Sequence, residues 1–163
     1  MLRTHGEGKT RYEVERTGMN GRLDSIQAAI LLCKLPLLEQ ELKDRARVAA
    51  HYARRLAGHV VVPSETAGAE SAWGLYSVLL PDAETRARVQ AAMQAQGVPS
   101  AIYYPKPLHH QPAYAAAHRD GLRQGPPLPV SEQVSQRILA LPMHPYLDEA
   151  QLERVCDALI AGL

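Results

Sequence analysis

The chain has 163 residues, 46% of them hydrophobic and 21% charged, with a formal net charge of +1. That balance suits a folded domain and excludes a disordered tract. It gives no electrostatic reason to expect nucleic acid or an anionic membrane as the main partner, and no apolar run approaches the ~20 residues that span a bilayer.

Residues 1–22 show no clear period and carry Gly6, Gly8, Gly18 and Gly21 among charged residues. They read as irregular backbone that something beside it must hold in place. From Leu23 the pattern turns helical, with Leu23, Ile26, Ala29, Ile30 and Cys33 at three and four spacing. Pro36 breaks the pattern and suits the first turn of a new helix. The run to Leu56 is amphipathic, its apolar stripe being Leu38, Leu42, Ala46, Ala49, Ala53 and Leu56. Arg45 and Arg47 fall on its solvated side, and Gly58 is a plausible stop.

VVVP at 60–63 reads as a short strand or an extended lead-in. WGLYSVLL at 73–80 is the best strand, with Trp73 and Tyr76 expected on opposite faces. Asp82 can cap a helix over 83–96, ended by Gly97. VPSAIYY at 98–104 reads as another strand, interrupted early by Pro99. Ser131 can cap a helix through Leu139, after which ALPMHP is extended or turn-like. Asp148 with Gln151 is a capping-box pair that opens a last helix to about Leu163. Few strands joined through helices predict an α+β layer, a small sheet with helices packed on one side.

The chain contains no phenylalanine, yet AIYYPKPLHHQPAY at 101–114 gathers three tyrosines, three prolines and two histidines. Pro105, Pro107 and Pro112 stiffen this loop before any ligand arrives, which lowers the entropy cost of binding. Tyr103, Tyr104, His109, His110, Gln111 and Tyr114 offer donors and acceptors suited to a polyhydroxylated ligand. A stiff surface crossover, its tyrosines packed on helices, would look the same. His109, His110, His118 and His144 invite a metal reading. Neighbouring imidazoles do not easily point at one ion, and no HExxH or paired CxxC pattern exists, so no metal site is expected.

GMNGRLD at 18–24 leads into the first helix. Backbone amides at a helix start, with the Arg22 guanidinium and Asn20, could hold a phosphate. An ordinary capped helix with Asp24 as an early acid accounts for the same residues. Lys9 is a poor Schiff-base candidate, because such a lysine needs a desolvated setting. Cys33 and Cys156 lie inside helical patterns and read as buried free thiols of a reducing compartment. With the polar start MLRTHGEGKTRYEVERTG, they predict a cytoplasmic protein.

Taken together, LRTHGEGKTRY, GMNGRLDSIQAAILLCKLPLLEQELKDRARVAAHY, GVPSAIYYPKPLHHQPAY and LPVSEQVSQRILALPMHPYLDEAQLERV resemble the DegT/DnrJ/StrS family of sugar aminotransferases. The segments occur in the family's order. The resemblance implies pyridoxal 5′-phosphate as cofactor. It also implies a nucleotide-linked ketosugar as substrate, an amino donor such as glutamate, and a homodimer. It covers only the family's C-terminal part, a small domain of a fold-type I aminotransferase with its leading broken helix. On this reading, residues 1–22 would pack on a large domain, and 23–163 would be the small domain.

The catalytic lysine is then expected upstream, with no counterpart in this chain, and the chain alone is expected to be inactive. The resemblance implies that Asn20 and Arg22 reach across a dimer interface to the cofactor phosphate. It implies that Tyr103, Tyr104 and His109 border the sugar nucleotide, Tyr103 standing where many members have histidine. LPMHPYLDEAQ looks like members that aminate a nucleotide-linked hexuluronate in surface-polysaccharide synthesis. The competing readings are a non-catalytic dimerisation or sugar-nucleotide-binding module of the same descent, and a small metal-dependent hydrolase.

Overall fold

The computed structural model describes residues 1–10, 13–112, 114 and 127–163. They form two compact units, Met1–Glu39 and Gln40–Leu163.

In the first unit, two stretches of irregular chain are laced together by main-chain bonds. His5 N–H donates to Met19 O at 2.9 Å and Gly21 N–H to Arg3 O at 2.8 Å. The backbones meet at Gly6 and Gly18. A Cβ on Gly6, where φ is +79°, would stand 1.6 Å from Arg16 O, and one on Gly18 would stand 2.2 Å from Gly6 N. Only glycine permits that approach. Helix α1 (Ser25–Lys34) follows, capped by Asp24. None of its residues is buried, and Ile26, Ile30, Leu31 and Leu32 are all more than half exposed. Cys33 is exposed too, which corrects the buried thiol expected there. Pro36 converts Leu35–Leu37 into a 3-10 turn, so the helical run is broken as its sequence requires.

Helix α2 (Leu38–Leu56) leads into the second unit. Its buried residues are Val48, Ala49, His51, Tyr52 and Leu56; Ala49 and Leu56 belong to the predicted stripe, whereas Leu42 and Ala46 of that stripe are exposed. Two arginines of its polar side also clamp carbonyls, Arg47 while remaining exposed as expected and Arg45 half-buried. Arg45 Nη1 donates to Trp73 O at 3.2 Å and Arg47 Nη2 to Leu147 O at 2.9 Å.

The sheet has two antiparallel strands, β1 (Tyr76–Leu79) and β2 (Ile138–Leu141), with Tyr76 opposite Leu141 and Leu79 opposite Ile138. Single bridges extend it on either side, Val61 to Leu79 and Ala101 to Ala140. The segment 98–104, read as a strand, is thus reduced to one bridge, and 60–63, read as a short strand or an extended lead-in, makes one bridge too. Trp73 also lies outside β1. Its left-handed backbone (φ 45°) turns the chain, so its ring packs on Tyr76 at 5.5 Å instead of facing the other way. The larger correction is β2. Ile138 and Leu139 read as the end of a helix, but α4 (Pro129–Arg137) stops at Arg137 and the chain straightens to pair with β1, Ala140 and Leu141 being extended as expected. Ser131 does not cap α4, because Pro129 already opens it; the Ser131 position is the third helical residue.

Helix α3 (Ala83–Ala95) has its Asp82 cap, the carboxylate accepting from Thr85 N–H at 2.7 Å. Helix α5 (Glu149–Ala161) has both halves of the Asp148–Gln151 capping box. The two helices pack on each other. One core joins Tyr52 and Leu56 of α2, Val89 and Met93 of α3, and Leu152 and Leu159 of α5 to Val78 and Leu139 of the sheet. No helix among the described residues is long and apolar enough to cross a membrane.

Candidate functional site

The proline-bearing loop and α4 flank an open cavity of about 740 Å³, large enough for a drug-sized ligand. Tyr103, Tyr104, Lys106, His109, Gln111 and Tyr114 line it from the loop, and Ser131 and Ser135 from α4. Sequence reading had set the loop residues around one ligand, and the structure does bring Tyr103, Tyr104 and His109 to one wall. The Tyr103–Tyr104 peptide is cis, and the two rings meet edge-on at 5.8 Å. Both side chains are exposed, so their hydroxyls are available to a ligand.

The loop is fixed by short-range bonds. His110 N–H donates to Pro107 O and Gln111 N–H to Leu108 O, both at 3.0 Å, closing a 3-10 turn over Leu108–His110. Gln111 Nε2 reaches back to Lys106 O at 3.5 Å. The turn sets His109 and His110 side by side, rings 4.2 Å apart, and both Nε2 atoms approach one oxygen of Glu132. The distances are 3.0 Å from His109 and 3.6 Å from His110. Adjacent imidazoles were expected to diverge; the tight turn makes them converge. The hydrogen bond from His109, with the charge of both imidazoles, holds the Glu132 carboxyl below its usual range.

Glu132 was missed in the sequence. It lies 23 residues beyond His109. Its one local signal is an acid in the first turn of a helix, a position that helix-dipole compensation alone accounts for. His118 lies outside the described residues, and His144 is exposed on another segment.

Asn20 and Arg22 belong to the first unit. The Asn20 backbone is bridged to Thr4, and both side chains are exposed. The helix-start amides invoked for a phosphate are occupied. Asp24 Oδ1 accepts from Ile26 N–H at 2.9 Å and Gln27 N–H at 3.2 Å. Its carboxylate also repels an anion at that helix end. What remains for a phosphate is the exposed Arg22 guanidinium, which makes no ion pair among the described residues, and the Asn20 amide. Both fit an anion brought to this surface from outside the unit.

The four lysines, Lys9, Lys34, Lys43 and Lys106, are all exposed. A Schiff-base lysine is ordinarily activated by desolvation or a neighbouring cation.

The sequence profile of the DegT/DnrJ/EryC1/StrS aminotransferase family matches residues 1–160, and the chain belongs to that family. Pyridoxal 5′-phosphate is the family's cofactor. A UDP-2-acetamido-2-deoxy-3-oxo-D-glucuronate aminotransferase of Pseudomonas aeruginosa is 40% identical over 156 residues, covering 95% of this chain and 40% of that protein. A DegT DnrJ EryC1 StrS aminotransferase from Brucella abortus superposes with a TM-score of 0.84 at 43% identity, over 98% of this chain and 41% of that one. DesV of S. venezuelae does so with a TM-score of 0.84 at 33% identity, over 99% and 42%. The chain thus spans about two fifths of the length of the relatives it matches. The resemblance read from the sequence motifs is the family found.

Proposed function

We propose that this chain is the C-terminal portion of a pyridoxal-phosphate-dependent aminotransferase that aminates a nucleotide-linked ketosugar. The carrying observation is the stiffened loop, which presents Tyr103, Tyr104 and His109 to one sugar-sized cavity. Hydroxyl and imidazole groups on a pre-ordered wall suit a polyhydroxylated ring. Lys106 adds a cation at the same wall, where a diphosphate or a uronate carboxylate would need one. A hexuluronate substrate agrees with the LPMHPYLDEAQ motif and with the named activity of the Pseudomonas aeruginosa relative.

When bound, the cofactor supplies the electron sink and carries the amino group from an amino acid such as glutamate to the sugar. Arg22 and Asn20 would contribute phosphate contacts across a homodimer interface. The lysine that anchors the cofactor would lie outside these 163 residues, and this chain alone would not turn over. Residues 23–163 would form the small domain and residues 1–22 would pack on a large one. The setting would be cytoplasmic amino-sugar synthesis for surface polysaccharide or a glycosylated metabolite.

The test is addition of pyridoxal phosphate to the purified chain, borohydride reduction and intact mass, beside titration with a UDP-hexuronic acid. The reading expects no fixed adduct, and sugar-nucleotide binding that weakens in His109→Ala and Tyr103→Ala. A stoichiometric adduct on one lysine would overturn the placement of the anchor. Absence of sugar-nucleotide binding, with the fold intact, would favour a module of the same descent kept for dimerisation alone.

A further inference from the structure

We propose that His109, His110 and Glu132 form a binding site for a late first-row divalent cation of the zinc class. The three donor atoms lie within 4.8 Å of one another. Around an ion with bonds of ~2.0–2.1 Å, ligands at tetrahedral angles stand about 3.3 Å apart. The two imidazole-to-carboxylate edges are 3.0 and 3.6 Å, on either side of that value.

Donor type selects the ion. Two imidazoles with one carboxylate suit zinc, cobalt, nickel or copper, and magnesium and calcium prefer oxygen. The donors are also held. Both histidines sit in the closed turn behind Pro105 and Pro107, and Glu132 is in the first turn of α4. Ser135 Oγ donates to Glu132 O at 2.8 Å, tying that turn of the helix. The His110 side chain is half exposed and Glu132 partly so, which gives an ion a way in. Three protein ligands leave a fourth position for water or a ligand from the adjoining cavity. A bound ion would bridge the loop to α4 and stiffen the cavity wall.

The site is independent of the aminotransferase reading, although His109 serves in both. Its test therefore reads metal directly. Cobalt(II) is titrated into the chain, its visible d–d absorption followed, and zinc then added to displace it. One equivalent is expected. Affinity should fall about tenfold or more in His110→Ala and in Glu132→Gln, and stay unchanged in His144→Ala. Zinc should raise the melting temperature of the parent chain and of His144→Ala, but not of the other two. Absence of cobalt absorption, or retention of full affinity in both ligand variants, would overturn the proposal. His110 is exposed, so its replacement leaves the fold available for the measurement.

Discussion

The rings of Tyr52 and Tyr76 meet at 5.1 Å, tilted by 49°, and both are fully buried, yet their hydroxyls differ in kind. Tyr52 Oη donates to Pro142 O at 2.8 Å. Tyr76 Oη finds no partner among the described residues. Burial pushes both phenols up, Tyr76 to about 12, so neither ionises near neutrality. Tyr52→Phe should therefore cost about 1 kcal/mol, leaving a carbonyl unpaired. Tyr76→Phe should be neutral or stabilising, because it removes a buried polar atom without a partner. Denaturant midpoints of the two variants check this; equal losses would contradict it.

The two cysteines should separate cleanly in reactivity. Cys33 is exposed on α1, and Cys156 is buried in the core, where desolvation pushes its thiol up to about 11. A thiolate reagent should modify Cys33 alone in the native chain and Cys156 only after unfolding. Two fast thiols would show that α5 does not hold its place.

Acid should unfold the second unit through its carboxylates. The hydrogen bond from Arg55, at 2.7 Å, outweighs desolvation and holds the Glu153 carboxyl below its ordinary 4.5. His51 Nε2 lies 3.0 Å from the other oxygen, at ion-pair distance but without hydrogen-bond alignment. Because the folded value is depressed, the stabilisation is complete above 4.5 and is lost as pH falls through the folded value. Asp82, held low by the Thr85 amide, acts in the same direction. Glu153→Gln should be less stable at neutral pH and show a shallower acid limb. Parallel stability profiles for variant and parent would refute the linkage.

Gly6→Ala should disorder the first unit selectively. It adds a Cβ at a left-handed φ and into the Arg16 carbonyl. The cost should exceed the ~1 kcal/mol that the same replacement gains where the backbone is compatible with alanine. Amide exchange should quicken at His5, Met19 and Gly21 and stay unchanged at Val78 and Leu139.

The exposed Ile26, Ile30, Leu31 and Leu32 of α1 predict self-association of the isolated chain. Sedimentation should show a concentration-dependent mass, reduced in Ile26→Glu. A monodisperse monomer at high concentration would count against it.

Local chemistry was legible in the sequence, and long-range pairing was not. The Asp82 cap, the Asp148–Gln151 box and the break at Pro36 each depend on residues within one helical turn, and each is present. Ile138 and Leu139 read as the last residues of a helix, and only their pairing with β1, remote in sequence, makes them strand. The loop was legible as a candidate site because proline and tyrosine cluster there. Glu132 was not, because its meeting with His109 and His110 is a tertiary event. The α2 stripe was legible in part: Ala49 and Leu56 are buried as expected, but Leu42 and Ala46 are exposed and the core takes Val48 and Tyr52.

The pairing of Tyr76 with Leu141 also fixes an order of events at the ribosome. β1 emerges long before its partner, so the nascent chain carries Tyr76 and Val78 with an open edge while α3, the proline loop and α4 are still being made. Closing so wide a loop is slow compared with winding a helix. A chain stalled short of Leu141 would lack both the partner strand of β1 and all of α5, so neither the sheet nor the core that α5 closes against α3 could form.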